Sequence, residues 1–188
     1  MRKTAPGNFR RICGVDGFYP QGNHVIASAS LLSESGQVLE THTYRGHFTF
    51  PYVSGIFFLH EGPFVVAAVR GLKERPHLVC FDAHGISHPR YLGLATICGM
   101  VLDIPSIGCA KSKLVGDVRP YKEGLDKIVL EDTQVGFVTR YEGVKRYWSP
   151  GFLVSMDELE GIILDHSEVC LKSIAEADQV GRSGAYAH

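Results

Sequence analysis

Three carboxylates occupy unusual places in this 188-residue sequence. Asp16 lies inside the apolar run "RRICGVDGFY", Glu61 interrupts "IFFLHEGPF", and Asp82 directly follows "HLVCF". A carboxylate in an apolar environment is costly unless a cation, hydrogen-bond donors or water accompany it. Together the three indicate a site for a hard cation such as magnesium, which prefers oxygen ligands. Such an ion can stabilise a phosphoryl transition state and activate a water molecule.

Each carboxylate also has a purely structural explanation. Asp82 could cap the turn or the helix that follows it, as aspartate often does. Asp16 could be exposed where its strand twists to the sheet edge, and Glu61 could lie on a helix surface beside a bend. The residues alone leave both alternatives open for each carboxylate.

Two further segments carry groups that suit a nucleic acid. Lys111 and Lys113 follow an apolar strand, and a lysine there could hold a phosphate as a point charge, although a solvated basic turn is the usual explanation. Tyr52 lies in the turn-like segment "FPYVSG" and could stack on bases or wedge between them. Without other evidence, a hydrophobic staple onto the sheet is the favoured role for Tyr52. His84 and His88 share a turn-rich stretch, and the nine histidines form no H-E-x-x-H pattern.

The elements that must position these groups alternate in type along the chain. The pattern first predicts three strands, the second and third joined by the turn-like cluster "SESG" as a hairpin. A helix follows, which Gly62-Pro63 must bend or restart. The next elements are a strand, a helix and a strand, so these strands are expected to be parallel. The predicted ranges are 10–19, 24–32, 37–48, 56–72, 76–82, 89–103 and 105–110.

The last third of the chain predicts a second hairpin and a long helix. The hairpin covers 136–151 and turns at Glu142-Gly143. The helix covers 155–177 and begins with the capping box formed by Ser155 and Glu158. Residues 178–188 are expected to be loose. An antiparallel three-strand start followed by parallel strands and helices is an α/β mixed sheet, an order that the ribonuclease-H-like fold shares with other mixed α/β folds.

Composition limits the class of protein. The chain is 45% apolar and 21% charged, which is typical of a globular protein, and its length suits one domain spanning 1–188. No apolar run reaches about 18 residues, and the basic N-terminus lacks the apolar stretch of a secretory signal, so we expect a cytoplasmic protein without membrane contact. Four of the five scattered cysteines sit among apolar neighbours, which predicts core residues, and neither a zinc site nor a disulfide framework is expected.

Charge is unevenly distributed along the chain. The net charge is −1, but residues 151–188 sum to −5 and residues 1–150 to +4. A mildly positive body with an acidic last helix permits a phosphate-binding face without requiring one.

Four segments, in order, resemble the endonuclease V family of deoxyinosine 3′-endonucleases. The most specific is "FDAHGISHPRYLGLATICGMVLDIPSIGCAKSKLVG", which is similar to the family's D-G-x-G-I-x-H-P-R-x-L-G-x-A motif and its following strand ending in G-V-A-K. The others are "GVDGFY", "PYVSGIFFLHEGP" and "YWSPGFLVSMDELE". The resemblance covers about residues 12–165.

This resemblance implies a ribonuclease-H-like fold and cleavage of DNA, or in some members RNA, at the second phosphodiester bond 3′ to inosine. It implies Mg²⁺ as cofactor, for which Mn²⁺ can substitute, and products with a 5′-phosphate and a 3′-hydroxyl. By motif position, Asp16, Glu61 and Asp82 correspond to the metal-binding carboxylates and Lys111 to the active-site lysine. The implied partner is inosine-containing nucleic acid, and no protein partner is inferred.

The resemblance also implies a set of substrate-binding residues. One group corresponds to the wedge that separates the strands, and a second lines the pocket that holds the flipped hypoxanthine, largely through backbone groups. His88, the histidine of the H-P-R motif, joins them. The wedge group is Pro51, Tyr52, Val53 and Ser54; the pocket group is Gly55, Phe57, Ala83 and Leu94.

Four positions or segments depart from the family pattern. Phe152 stands where the family has the histidine of S-P-G-H, Ala83 stands where it has glycine, and Ser54 replaces the second proline of the wedge. Only about a dozen residues precede the first strand, where the family usually has a longer helical segment. Phe152 motivates an alternative function, an inosine- or single-strand-binding relative with weak or no catalysis, and Ala83 predicts altered lesion specificity.

Overall fold

The computed structural model of the chain describes residues 9–20, 23–48, 57–141 and 143–185. Within these residues the chain forms nine strands and three helices in one sheet-and-helix array. The strands are β1 (Arg11–Phe18), β2 (His24–Ser33), β3 (Val38–His47), β4 (Leu78–Phe81), β5 (Ser106–Ala110), β6 (Asp117–Lys122), β7 (Leu125–Leu130), β8 (Thr133–Tyr141) and β9 (Val144–Pro150). The helices are α1 (Phe57–Arg70), α2 (Leu94–Leu102) and α3 (Met156–Ala185).

The strands form one mixed sheet in the order β3-β2-β1-β4-β5-β9-β8-β7-β6. The pairs β1–β4 and β4–β5 are parallel, and every other neighbouring pair is antiparallel. An antiparallel β3-β2-β1 start joined to parallel β4 and β5 is the predicted ribonuclease-H-like arrangement, which is confirmed. Parallel pairing brings the carboxyl ends of β1, β4 and β5 to the same edge of the sheet.

The sheet buries both of its faces because successive side chains of a strand point to opposite sides. Val79 and Phe81 of β4 pack with α1 and α2, whereas Leu78 and Cys80 pack with α3. The central strands therefore read as continuous apolar runs, as is typical of parallel strands covered by helices. All five cysteines are buried and free, one more than the four for which the sequence predicted core positions.

Two predicted helices differ in extent from the structure. Helix α1 continues through Pro63 without restarting. Helix α2 begins at Leu94 rather than at residue 89, because Pro89 and the left-handed Tyr91 (φ 52°) hold the preceding residues in turns.

The last helix is longer than predicted. Ser155 and Glu158 form the capping box, each side chain accepting the other's backbone N–H. The helix then runs to Ala185, so the expectation of a loose segment from residue 178 is wrong for the described part of it. None of the helices that the structure describes combines the length and apolar character needed to cross a membrane.

The predicted hairpin at 136–151 is confirmed as β8 and β9, but it belongs to a larger antiparallel unit. Strands β6 and β7, which the sequence pattern did not predict, form another hairpin beside it. The unit β6–β9 extends the sheet beyond β5 by four strands.

Candidate active site

The predicted catalytic groups meet at the carboxyl-end edge of the parallel strands. Asp82 follows the last residue of β4 and Lys111 follows the last residue of β5. Asp16 comes next to Val15, which pairs with Phe81, so Asp16 and Asp82 lie on neighbouring strands at the same level. The Lys111 ammonium forms an ion pair with the Asp82 carboxylate, which is mostly buried.

Glu61 reaches the same edge from α1. Only 7% of this residue is exposed, so the explanation as a helix-surface residue is wrong. Its carboxylate lies directly over Gly17 of β1: a Cβ at position 17 would be 2.4 Å from Oε1 of Glu61 and 3.1 Å from the Tyr19 hydroxyl. Glycine at position 17 is therefore what allows Glu61 and Tyr19 to approach the strand. The Tyr19 hydroxyl donates a hydrogen bond to Glu61.

The carboxylates are close enough to perturb one another's protonation. Burial, followed by the nearby charge of Asp82 and a hydrogen bond with Asp178, raises the pKa of Asp16 to about 7. Burial is also the main cause that raises the pKa of Glu61 to about 7, and the charges of Asp16 and Asp82 add to it. Lys111 opposes the shift of Asp16. The site thus concentrates negative charge in a poorly solvated place, which is a frequent property of functional sites.

Asp178 of α3 is a fourth carboxylate at this edge, and the sequence analysis missed it. Asp16 and Asp178 share a hydrogen bond, which raises the pKa of Asp16, whereas the pKa of Asp178 is lowered chiefly by its hydrogen bond from Arg182. The buried Ala177 and the close approach of Gly181 to Ser28 show that this part of α3 packs on the sheet. Ile174, Ala177 and Gly181 recur at helical spacing, a signal that could have predicted the extended helix.

The donor set fits a hard divalent cation. Asp16, Glu61, Asp82 and Asp178 offer only carboxylate oxygens, and a dication would offset their mutual repulsion. In the arrangement seen, each carboxylate already has a protein partner: Lys111 for Asp82, Tyr19 for Glu61, and each other for Asp16 and Asp178. In this arrangement, no three His, Cys, Asp or Glu side chains of the described residues are positioned to bind one metal ion together. Binding an ion there requires side-chain rotation away from these partners.

The segment after Asp82 crosses β5 and β9 before it enters α2. Ala83, a predicted pocket residue, is half-buried, and its side chain packs against the apolar cluster shared by α1 and α2. Leu94, a second predicted pocket residue, is 7% exposed and belongs to the same apolar cluster, so only its backbone is available to a ligand. His88 is half-buried, and its Nδ1 accepts the backbone N–H of Arg90.

His84 is a half-buried neighbour of the site that the sequence analysis did not assign to substrate. Its Nδ1 has no hydrogen-bond partner in the described part of the chain. A hydrogen bond with the backbone of Ser112 ties the ring to the turn that carries Lys111, and burial lowers the pKa of the imidazole. His84 thus connects the two loops that bring Asp82 and Lys111 together.

Phe152 lies at the opposite end of β5 from Lys111. Its backbone N–H donates to the Ser106 hydroxyl, and its carbonyl accepts from the Ser106 backbone N–H. Ser106 is the first residue of β5 and Ala110 is the last. The four residue steps between them, at a rise of about 3.3 Å each, span roughly 13 Å. A histidine at position 152 could not reach the carboxylates from there without rearrangement of the chain.

The predicted wedge and part of the predicted pocket cannot be placed. Pro51, Tyr52, Val53, Ser54 and Gly55 lie outside the described residues, and Phe57 begins α1 with a side chain that is not described. The predictions for these residues stay predictions.

Comparisons with known proteins point to one family. The family model of endonuclease V matches residues 1–170. An endonuclease V from Saccharolobus islandicus (strain Y.N.15.51 / Yellowstone #2) is 37% identical over 152 residues, which cover 80% of this chain and 72% of the relative. One from Dictyoglomus thermophilum is 36% identical over 175 residues, covering 89% of this chain and 75% of the relative.

Solved structures agree on the fold. The crystal structure of endonuclease V from Streptomyces avermitilis has a TM-score of 0.85 at 28% identity and covers 96% of this chain and 83% of its own. Endonuclease V from Ciona intestinalis, solved in complex with a 24mer DNA containing an inosine followed by a ribo-adenosine, has a TM-score of 0.79 at 19% identity. It covers 95% of this chain and 87% of its own.

Proposed function

The chain belongs to the endonuclease V family, and from this premise we propose that it is a metal-dependent endonuclease that cleaves inosine-containing nucleic acid. The single observation that carries the proposal is the convergence of Asp16, Glu61 and Asp82 with Lys111 at one edge of the sheet. Each of these residues occupies the position of the corresponding family motif. We propose DNA as the substrate, with RNA as a possible second one, and Mg²⁺ as the cofactor, for which Mn²⁺ can substitute.

The proposed reaction is hydrolysis of the second phosphodiester bond 3′ to the deaminated base. A bound divalent ion would supply charge neutralisation at the leaving 3′-oxygen and would acidify an attacking water. Lys111, as a mostly exposed ammonium beside Asp82, would bind a non-bridging oxygen of the scissile phosphate. Asp16, Glu61 and Asp82 would hold the ion in their ionised forms, so Asp16 would give up the proton that it shares with Asp178, and Asp178 could join them. The products would carry a 5′-phosphate and a 3′-hydroxyl and would initiate repair of the deaminated base.

The alternative proposal is an inosine- or single-strand-binding relative with weak or no catalysis, motivated by Phe152. That Phe152 is about a strand length from the carboxylates favours the catalytic proposal over this alternative. Five free buried cysteines are typical of a reducing compartment, which favours a cytoplasmic location.

A nicking assay tests the proposal. Labelled DNA and RNA with a single inosine are incubated with the protein and Mg²⁺ or Mn²⁺, and an Asp82→Ala variant serves as the control. We expect a nick at the second phosphodiester bond 3′ to inosine, no nick at the same site in an inosine-free strand, and no product in the presence of a chelator. Failure to nick either substrate above the Asp82→Ala background would overturn the proposed function.

A further inference from the structure

The register of β9, β8, β7 and β6 determines which of their residues lie at the same sheet edge as Lys111. Ala110 pairs with Tyr147, so the next residues on each strand, Lys111 and Arg146, continue to that edge. Pairing then leads from Arg146 to Thr139 on β8, from Thr139 to Leu125 on β7, and from Leu125 to Lys122 on β6. The start of β9, the end of β8, the start of β7 and the end of β6 therefore share the edge with the candidate active site.

Charge is segregated along these four strands and their turns. The half nearer Lys111 carries six basic side chains and, among the described residues, two acidic ones, Glu123 and Asp126. The other half carries three acidic side chains, Asp117, Glu131 and Asp132, and no basic one among the described residues. Successive side chains of a strand point to opposite faces, and the pairing places four of the six on the face that packs against α3, together with Phe137 and Trp148. We call these four the basic strip; they are Arg119, Lys122, Lys127 and Arg146.

Most of the basic strip is not neutralised within the protein. Lys122 pairs with Glu160 of α3. The other three cations of the strip form no ion pair among the described residues; they are Arg119, Lys127 and Arg146. The Lys127 ammonium lies 3.7 Å from the centroid of the half-exposed Tyr121 ring, a cation–π contact that leaves its charge intact.

Like charges held on neighbouring strands repel one another, so their concentration on one edge is unfavourable for folding. A polyanion that lies along the edge offsets this repulsion. The strip continues from Lys111 through Arg146, which is next to it across the β5–β9 pair. This continuity favours the molecule that enters the active site over an unrelated acidic protein.

We propose that the basic strip binds the phosphate backbone of the nucleic acid to one side of the scissile bond. This inference rests on the proposed nuclease function and names the surface that would position its substrate. Four strand spacings of about 4.8 Å separate β5 from β6, so the strip extends about 19 Å from the active site. That length matches roughly six base pairs of a duplex at 3.4 Å for each pair. Phosphate contacts set orientation and affinity but carry no sequence information.

The salt dependence of binding tests the strip. Fluorescence anisotropy measures the affinity for a labelled duplex with one deoxyinosine, in chelator to prevent cleavage, between about 50 and 200 mM KCl. Arg119→Gln/Lys127→Gln removes two unpaired charges of the strip that are paired across β6 and β7. The matched control, Lys73→Gln/Lys172→Gln, removes two exposed lysines near the opposite sheet edge, where Lys73 is beside Glu40 and Lys172 beside Gly36. Equal thermal melting of all forms shows that each is folded.

We expect the slope of log affinity against log salt to fall in magnitude by about 2 in the strip variant and to stay at the wild-type value in the control. The loss should be the same for an inosine-free duplex, because the contacts are to phosphates. If the slope of the strip variant equals that of the wild type, the proposal that the strip binds phosphates is overturned. The proposed nuclease function still stands in that case, provided that the wild type nicks its substrate. A wild type that neither binds nor nicks either duplex overturns both. Arg119→Gln alone, which touches no aromatic ring in the described structure, should lower the slope by about 1.

Discussion

Replacing Glu61 by glutamine removes a charge from a side chain that is only 7% exposed, at nearly constant volume. Burial and neighbouring carboxylates raise the pKa of Glu61 from 4.5 to about 7. At about 1.4 kcal/mol for each pK unit, keeping Glu61 ionised in the folded protein costs about 3 kcal/mol. We therefore expect Glu61→Gln to raise the free energy of unfolding of the metal-free protein by up to about 3 kcal/mol at about pH 8.

The gain has a defined pH window. A carboxyl with a raised pKa in the folded state binds its proton more tightly there than in the unfolded state. The resulting stability is fully present below pH 4.5 and is lost as the pH rises through about 7. Wild type and Glu61→Gln should therefore have nearly equal unfolding free energies near pH 4 and should diverge toward pH 8. Asp16, with a similarly raised pKa, leaves part of the pH dependence in the variant.

Urea unfolding in chelator measures the effect. Trp148 is the single tryptophan of the chain and is fully buried, so its fluorescence reports loss of the core. Glu168→Gln makes the same chemical change at an exposed position of α3 and should alter the unfolding free energy by less than about 0.5 kcal/mol.

Activity and stability should move in opposite directions. Glu61→Gln should lower the nicking rate by about 100-fold or more, since it removes a proposed ligand, while the protein becomes more stable without metal. A variant that is no more stable than wild type at about pH 8, or whose gain is the same at both ends of the pH range, would refute the burial cost assigned to Glu61.

Four more substitutions test other parts of the structure. Gly14→Ala should destabilise the protein by about 3 kcal/mol in the same urea assay, because the added Cβ would lie 2.1 Å from the α3 backbone. The control Gly161→Ala should stabilise α3 by up to about 1 kcal/mol, because a Cβ at position 161 has no other atom within 4 Å. Phe152→His should leave the nicking rate unchanged because position 152 is remote from the carboxylates, and a faster variant would contradict that placement. Tyr19→Phe keeps the ring but removes the hydroxyl that orients Glu61. It should therefore raise the Mg²⁺ concentration for half-maximal nicking by about 10-fold. An unchanged Mg²⁺ concentration would show that this hydroxyl has no role in metal binding.

The order of the central elements was predictable because each follows a local pattern. The "SESG" turn between two strand-like runs and the alternation from β4 to β5 produced the correct sheet type. Strands β6 and β7 were not predicted, because their many charged residues and Pro120 weaken the alternation of apolar and polar residues. Their turn nevertheless has the same Glu-Gly dipeptide, Glu123-Gly124, that predicted the next hairpin, and Gly124 has a φ of +74°.

The site was predictable where a carboxylate interrupts an apolar element, as with Asp16, Glu61 and Asp82. Asp178 could not be recognised in that way, since its neighbours in sequence are polar and small. Only tertiary packing against β1 and β2 keeps that end of α3 helical, and packing of this kind overrides local propensity. The position of Phe152 likewise depends on strand register, which a motif match does not contain.

The segment after Asp82 has neither helix nor strand, yet its backbone is held as firmly as a sheet. Gly85 donates to the Ser149 hydroxyl, Ile86 to the Pro150 carbonyl and Gly93 to the Gly85 carbonyl. These amides should exchange with deuterium nearly as slowly as those of β9, because opening the segment requires breaking its bonds to that strand. The segment thus loses its conformational entropy when the protein folds and not when a substrate binds. A segment that is already ordered adds no ordering cost to the free energy of binding.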